Sequence, residues 1–184
     1  MSASTWTLSD TDGDLRLHTG VSGRVSGAGH RLTIGMLAWR AIVTWEGDAP
    51  DAVDVTVDVA SLQVLGGEGG LTPLSDPERR LARSNALKSL EEKKHPTISY
   101  RAATVESVTG GFRLDGTLTI NGTAHPQVVD VVASEADGVW QLSLDVTVRQ
   151  TDYGIKPFSL MMGTVKVADE VRVTLDAEYT PPGA

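Results

Sequence analysis

The most constraining feature of this sequence is an alternation of apolar and polar residues with a period of two. Between positions 53 and 59 every odd residue is valine, and acidic or hydroxyl-bearing residues lie between the valines. Successive side chains of a strand point to opposite faces of a sheet, so this pattern predicts a strand with one buried and one solvated face. The pattern recurs from Trp140 to Arg149 and from Val171 to Asp176.

Weaker strand patterns, each bounded by Gly, Pro, Asn or Asp, bring the predicted number of strands to about eight. They cover Leu15–Val25, Leu32–Trp45, Ile98–Val108, Phe112–Ile120 and Gln127–Ser134. Three short links contain residues that tolerate positive φ and predict hairpins, so the second half should be a meander. These links are Thr109–Gly111, Asn121–Thr123 and Ala136–Gly138. Because closure removes unpaired edges, we expect an all-β fold with a single closed antiparallel eight-stranded β-barrel.

One segment departs from the strand pattern. The glycine-rich run 66–70 predicts a mobile loop, and Ser75-Asp76-Pro77-Glu78 after it has the form of a helix capping box. Ala82, Ala86 and Leu90 then repeat every fourth residue. We therefore predict one short α-helix, about 76–90, that packs against the barrel or covers one end of it.

Composition limits the classes of partner. The 184 residues fit one domain, 1–184, which we expect to be ordered over about 5–180 with frayed termini. A net charge of −8 disfavours binding to phosphate backbones, so nucleic acid is not expected as a partner. No apolar run approaches the roughly 18 residues of a membrane span, which predicts no stable membrane insertion. The N-terminus has no export signal pattern, which predicts a cytoplasmic protein.

The sequence contains no motif of a common enzyme class or nucleotide site, and it lacks cysteine. The four histidines, at 18, 30, 95 and 125, have no metal-ligand spacing. We therefore predict no metal, no cofactor and no catalytic residues. His30 follows Gly27-Ala28-Gly29, where its side chain could point into a lumen or simply stabilise a turn. A lipid-modifying enzyme with His30 or Asp152 as general base is the least favoured alternative.

A cluster of basic residues stands out in this acidic chain. It comprises Arg79, Arg80, Arg83, Lys88, Lys93, Lys94 and Arg101. Arginine binds phosphate or carboxylate with two parallel hydrogen bonds, so the cluster could bind an anionic headgroup. Alternatively it is a solvated helix face neutralised by the neighbouring acidic residues.

The order of several short motifs resembles the YceI-like family of lipocalin-like barrels. The motifs are Gly29-His30, the strand Val53–Ala60, the segment Arg83–Leu87, His95–Tyr100, Gly116–Thr123 with Pro126, and Gln150–Ile155. The resemblance covers most of the chain. It implies a lipocalin-like barrel that holds a polyisoprenoid or another lipid-like chain in its lumen.

The favoured function is therefore a non-catalytic carrier of an elongated apolar ligand, which is a polyisoprenoid, a quinone or a fatty-acid-like molecule. Some of the candidate residues could equally belong to a closed core. The candidates are His30, Trp39, Arg79, Arg83, Asn85, Leu87, Phe158, Leu160, Met161 and Met162. The main alternative is a structural or stress-response module with a side-chain-filled barrel and a protein partner. A homodimer is also compatible with the sequence.

Overall fold

The structure is a computed structural model that describes residues 3–183. Residues 1, 2 and 184, which belong to the termini predicted to be frayed, lie outside the described residues. Its strands and helix, in chain order, are β1 (Ala3–Ser9), β2 (Gly13–Ser22), β3 (His30–Met36), β4 (Trp39–Glu46), β5 (Ala49–Asp58), β6 (Leu62–Gly69), α1 (Asp76–Ser89), β7 (Thr97–Val108), β8 (Gly111–Ile120), β9 (Thr123–Ala136), β10 (Val139–Arg149), β11 (Ser159–Leu160) and β12 (Val165–Tyr179). Short 3-10 turns cover Ser26–Ala28, Val59–Ser61, Gln150–Tyr153 and Met161–Gly163. The prediction of an all-β chain with one helix is confirmed. No helix in the described part of the chain is long and apolar enough to span a bilayer.

All strands belong to one antiparallel sheet that curls into an open half-barrel. Its order is β1-β4-β5-β7-β8-β9-β10-β12-β2-β3-β6, and β11 pairs with β12. Within residues 3–183 the two end strands, β1 and β6, do not pair with each other. The prediction of a closed eight-stranded barrel is therefore wrong.

The two edge strands, β1 and β6, form hydrogen bonds with side chains from other parts of the chain. On β6, which follows the tight turn Val59–Ser61, Arg83 of α1 donates hydrogen bonds to the carbonyls of Leu62 and Ala60, both at 2.7 Å. On β1, the Thr7 amide donates to the hydroxyl of Tyr179 at 3.3 Å. Covering an edge is an alternative to pairing it, and α1 does this for part of β6, whereas the edge of β1 stays largely open.

The strand count differs from the prediction at four places. The segment 32–45 forms two strands, β3 and β4, which are separated at residues 37–38. The glycine-rich run is a strand for most of its length, because β6 pairs with β3 from Met36↔Leu62 to His30↔Gly69. Strand β1 and the two-residue strand β11 have no counterpart in the sequence-based prediction.

The predicted meander is confirmed, because β7, β8, β9 and β10 are neighbours in sheet order. Two of its hairpin turns have positive φ at both central residues, with values of 53° and 70° at Asn121 and Gly122 and 53° and 79° at Asp137 and Gly138. Asn, Asp and Gly tolerate this conformation, which matches the twist of the flanking strands.

The predicted capping box at the start of α1 is also confirmed. The Glu78 amide donates to the Ser75 hydroxyl at 3.4 Å, and the Ser75 amide donates to the Glu78 carboxylate at 2.7 Å. Ala82, Ala86 and Leu90 pack against a buried cluster that includes Met36. The helix therefore lies against the concave side of the sheet.

Candidate functional site

The concave face of the sheet encloses a cavity of about 590 Å³, which we call the lumen. Its walls consist largely of apolar side chains that the period-two pattern turns inward, such as Leu144, Val146 and Val148 of β10. Thr147, between them, is exposed on the outer face. The volume lies within the range of about 300–1,000 Å³ that is usual for small-molecule sites.

Aromatic side chains cluster at one end of the lumen. The ring centroid of Trp6 lies 4.3 Å from that of Trp45, 5.2 Å from that of Trp140 and 5.4 Å from that of Tyr179. Phe112 adds an edge contact to Trp45 at 6.3 Å. Three of these residues, Trp6, Trp45 and Phe112, line the lumen directly, so the cluster forms a broad apolar floor.

The opposite end of the lumen is its mouth. Most of the lining is buried or half-buried, and its exposed members are Glu78 and Leu81 of α1, Leu160 of β11 and Lys166 of β12. Strand β12 begins beside this opening and ends at Tyr179 in the aromatic floor. A molecule in the lumen would therefore lie between the aromatic floor and an opening bordered by α1 and β11.

Comparison with known proteins identifies the family. The profile of the YceI-like domain matches residues 6–179. The chain belongs to the YceI-like family. The resemblance drawn from the short motifs is thus confirmed. A search of curated proteins gives no significant match.

Solved structures, including that of a YceI protein, share this fold. BcnA of Burkholderia cenocepacia superposes with a TM-score of 0.65 at 15% sequence identity, and the alignment covers 90% of this chain and 96% of BcnA. The YceI protein of Campylobacter jejuni gives a TM-score of 0.62 at 15% identity, with 80% and 84% of the two chains covered. At such low identity the similarity shows the fold alone.

Tyr100 is a buried titratable group in the wall of the YceI-like lumen. Its single hydroxyl proton is shared between the carbonyls of Gln127, at 3.0 Å from the hydroxyl oxygen, and Leu114, at 3.3 Å. Burial, with a smaller contribution from the Asp115 carboxylate, raises the pKa of Tyr100 to about 12. The hydroxyl is therefore neutral at physiological pH and is bound to the backbone of the wall.

Trp39, a predicted site residue, lies on the lumen wall and is buried. Its indole N–H has no acceptor within residues 3–183, and the same is true of Trp45. Both indoles contribute mainly apolar surface to the lumen.

His30, a second predicted site residue, lines the lumen near its mouth. Its Nε2 lies 2.8 Å from the backbone carbonyl of Thr72, and because a carbonyl only accepts, this nitrogen carries the proton. Gly70 has a φ of +76°, and a Cβ at this position would collide with the His30 ring. His30 thus connects β3 to the segment before α1. No group of His, Asp or Glu in residues 3–183 is arranged to hold a metal ion.

Four predicted site residues lie on α1, and they face different surroundings. Asn85 lines the lumen, whereas Leu87 packs against the buried cluster without reaching the cavity. Arg79 donates to the Leu65 carbonyl at 3.0 Å, and Arg83 donates to carbonyls at the start of β6. The structure therefore uses both arginines to cover the edge of the sheet.

The predicted residues of the C-terminal third divide in the same way. Phe158 and Leu160 line the lumen. Met161 and Met162 do not line it, and both are exposed. These methionines lie outside the opening.

Sequence reasoning missed much of the site. Trp6, Tyr100, Leu81 and Lys166 all line the lumen and were not among the candidates. The period-two pattern could have identified wall residues such as Val146, because the buried members of each strand are the ones that face the cavity. Leu81 and Lys166 have no comparable signal, since their place at the mouth depends on how α1 and β12 dock.

Proposed function

We propose that this YceI-like protein is a non-catalytic carrier that holds one elongated apolar molecule in its lumen. The observation that supports the proposal most strongly is the lumen itself, with about 590 Å³ between an aromatic floor and an open mouth. A polyisoprenoid, a quinone with a prenyl tail and a fatty acid all fit this description. Each buried methylene contributes about 0.8 kcal/mol, so such a chain binds without many polar contacts.

The polar groups of the lining support a binding role over catalysis. The Tyr100 hydroxyl donates to the backbone carbonyl of Gln127 in the lumen wall, and His30 Nε2 donates to the backbone carbonyl of Thr72. Asp152, the other base considered, is exposed and lies outside the lining. A general base needs to reach a substrate proton, and Asp152 lies outside the cavity. His30 lines the cavity, but within residues 3–183 no carboxylate forms a hydrogen bond or ion pair with its ring, so it lacks the partner that activates a catalytic histidine.

The lumen also weighs against the alternative of a side-chain-filled module. Well-packed interiors contain few voids larger than a water molecule. A cavity of about 590 Å³ is much larger than such a void. We therefore place the carrier role ahead of a purely structural one.

A pair of matched variants on β10 tests the proposal. Val146→Trp places a large ring in the lumen, whereas Thr147→Trp places the same ring on the outer face one residue along. The delipidated protein is incubated with a prenyl alcohol, a prenylated quinone or a long-chain fatty acid, and occupancy is measured by native mass spectrometry. We expect the wild type and Thr147→Trp to bind alike and Val146→Trp to bind at least about tenfold more weakly.

Circular dichroism and thermal unfolding of both variants serve as the control for folding. The proposal fails if the wild type takes up none of the three probes. It also fails if the folded Val146→Trp variant binds as tightly as the wild type, because the ligand would then lie outside the lumen.

A further inference from the structure

Exposed apolar side chains collect around the mouth of the lumen. Leu81 and Leu160 border the opening, and Leu71 precedes Thr72, whose carbonyl binds His30. Met161 and Met162 follow Leu160, with exposed fractions of 65% and 105%. Scattered exposed apolar residues are normal, but several that surround one opening indicate an interaction surface. We call Leu71, Leu81, Leu160, Met161 and Met162 the mouth surface.

The two methionines are held outward by a defined turn. Their φ values are 51° and 57°, in the left-handed region that residues other than Gly, Asn and Asp rarely adopt. The Thr164 hydroxyl donates to the Met161 carbonyl at 2.8 Å, and the Val25 amide donates to the Thr164 carbonyl at 2.9 Å. The turn is therefore fastened to the neighbouring loop, and it presents both thioether side chains to solvent.

Positive charges border the mouth surface. Lys166 lines the opening, Lys156 lies between two lining residues, and Arg24 adjoins Val25 beside the methionine turn. Across residues 3–183 none of these three cations forms an ion pair with a carboxylate.

Two neighbouring carboxylates have a cation close by, whereas a third, Glu78, has only a hydrogen-bond donor. Glu68 lies 3.8 Å from Arg31, and Asp76 lies 3.9 Å from Arg79. Glu78 accepts hydrogen bonds from Ser75, and these lower the pKa of its carboxyl. Glu78 forms no ion pair within residues 3–183, so the mouth presents three unpaired cations and this one carboxylate in a chain whose net charge is −8.

We propose that the mouth surface docks on an anionic lipid bilayer, so that an apolar ligand passes between the bilayer and the lumen without crossing water. Apolar side chains flanked by Lys and Arg are the combination that binds at a lipid interface. A second copy of this chain is a poorer occupant, because a symmetric contact would bring the same unpaired cations together. The proposal extends the carrier function, but its test does not depend on that function.

Vesicle flotation with the full chain tests the docking surface. Vesicles contain phosphatidylcholine alone or a mixture with phosphatidylglycerol. Met161→Asn/Met162→Asn removes the apolar side chains, and Asn tolerates the left-handed conformation, so the fold is retained. The control Val128→Thr/Val132→Thr removes two exposed valines from β9, where the inward residues are Val129 and Val131.

We expect the wild type to bind the anionic vesicles and the methionine variant to bind at least about tenfold more weakly. The valine control should bind like the wild type.

A second pair of variants tests the charges. Lys156→Gln should weaken binding to anionic vesicles about fivefold. The control is Arg40→Gln on β4, because Arg40 is exposed and forms no ion pair in the described chain, and it should leave binding unchanged.

The docking proposal is overturned if the wild type binds neither kind of vesicle, or if the folded methionine variant binds like the wild type. It is also overturned if light scattering shows a wild-type dimer that the methionine variant abolishes while vesicle binding is absent. Ligand uptake is measured separately without vesicles. If the Val146→Trp variant floats with vesicles but takes up none of the three apolar probes, docking on the bilayer does not depend on ligand binding in the lumen.

Discussion

The hydroxyl of Tyr100 makes the stability of the protein sensitive to alkaline pH. In the unfolded chain this phenol ionises near its ordinary pKa of 10.0, whereas in the folded protein its pKa is about 12. Above pH 10 the unfolded state therefore releases a proton that the folded state retains. We expect the free energy of unfolding to fall as pH rises from 10 to about 12, which urea unfolding at several pH values measures.

Tyr100→Phe is the variant that isolates this effect. It removes the hydrogen bonds to Gln127 and Leu114, so it should be less stable than the wild type at neutral pH by about 1 kcal/mol. Its stability should then fall less steeply between pH 10 and 12. Burial also raises the pKa of Tyr153, so some dependence on pH remains in the variant. Equal slopes for the two proteins would show that Tyr100 does not carry the effect.

Single residues could be predicted from the sequence only where their role follows from a local pattern. Ser75 and Glu78 were identified as a capping pair because the motif involves neighbouring positions. Arg79 and Arg83 were recognised as a cluster, but their contacts with β6 carbonyls depend on the docking of α1. The sequence pattern alone does not determine that docking.

Among the elements, α1 has the clearest structural task, which is to cover β6. Arg83→Ala would leave the carbonyls of Ala60 and Leu62 without their side-chain donors. The contact with Leu62 is partly buried, and an unsatisfied carbonyl there costs about 1–3 kcal/mol, whereas water can hydrate the exposed carbonyl of Ala60. We expect urea denaturation to show a loss of this size for Arg83→Ala.

The neighbouring arginine provides the matched control. Arg80 is exposed and makes no side-chain hydrogen bond or ion pair within residues 3–183, so Arg80→Ala should change stability by no more than about 0.5 kcal/mol. If the two alanine variants proved equally stable, the arginine contacts would not be what secures β6.

Strands with strict alternation were predicted well, whereas β6 was not. The valines at odd positions 53–59 lie in β5 and the turn after it, and Val53, Val55 and Val57 line the lumen. Strand β6 contains Gly66, Gly67 and Gly69, residues that weaken a strand and carry no alternation. It forms because β3 pairs along its length and α1 covers its other side. Both are long-range contacts that a local pattern does not contain.

At the scale of the whole molecule, the open sheet explains how a lumen coexists with an accessible mouth. A barrel closed by β1–β6 pairing would place hydrogen bonds where α1 now packs, and α1 contributes Leu81, Ala82, Asn85 and Ala86 to the lining. Replacing one wall segment by a helix therefore lets side chains from a separate element shape the opening.

Hydrogen exchange distinguishes the open sheet from a closed barrel. The Thr7 amide donates to the Tyr179 hydroxyl, so this amide points away from β4. Because the direction of the amides alternates along a strand, the Thr5 amide points away from β4 as well. Trp6 and Leu8 direct their amides to β4. We expect NMR-detected exchange to be fast at Thr5, intermediate at Thr7 and slow at Trp6 and Leu8. Tyr179→Phe should accelerate exchange at Thr7 without affecting Trp6. A closed barrel would protect all four amides alike, and that result would contradict the open edge at β1.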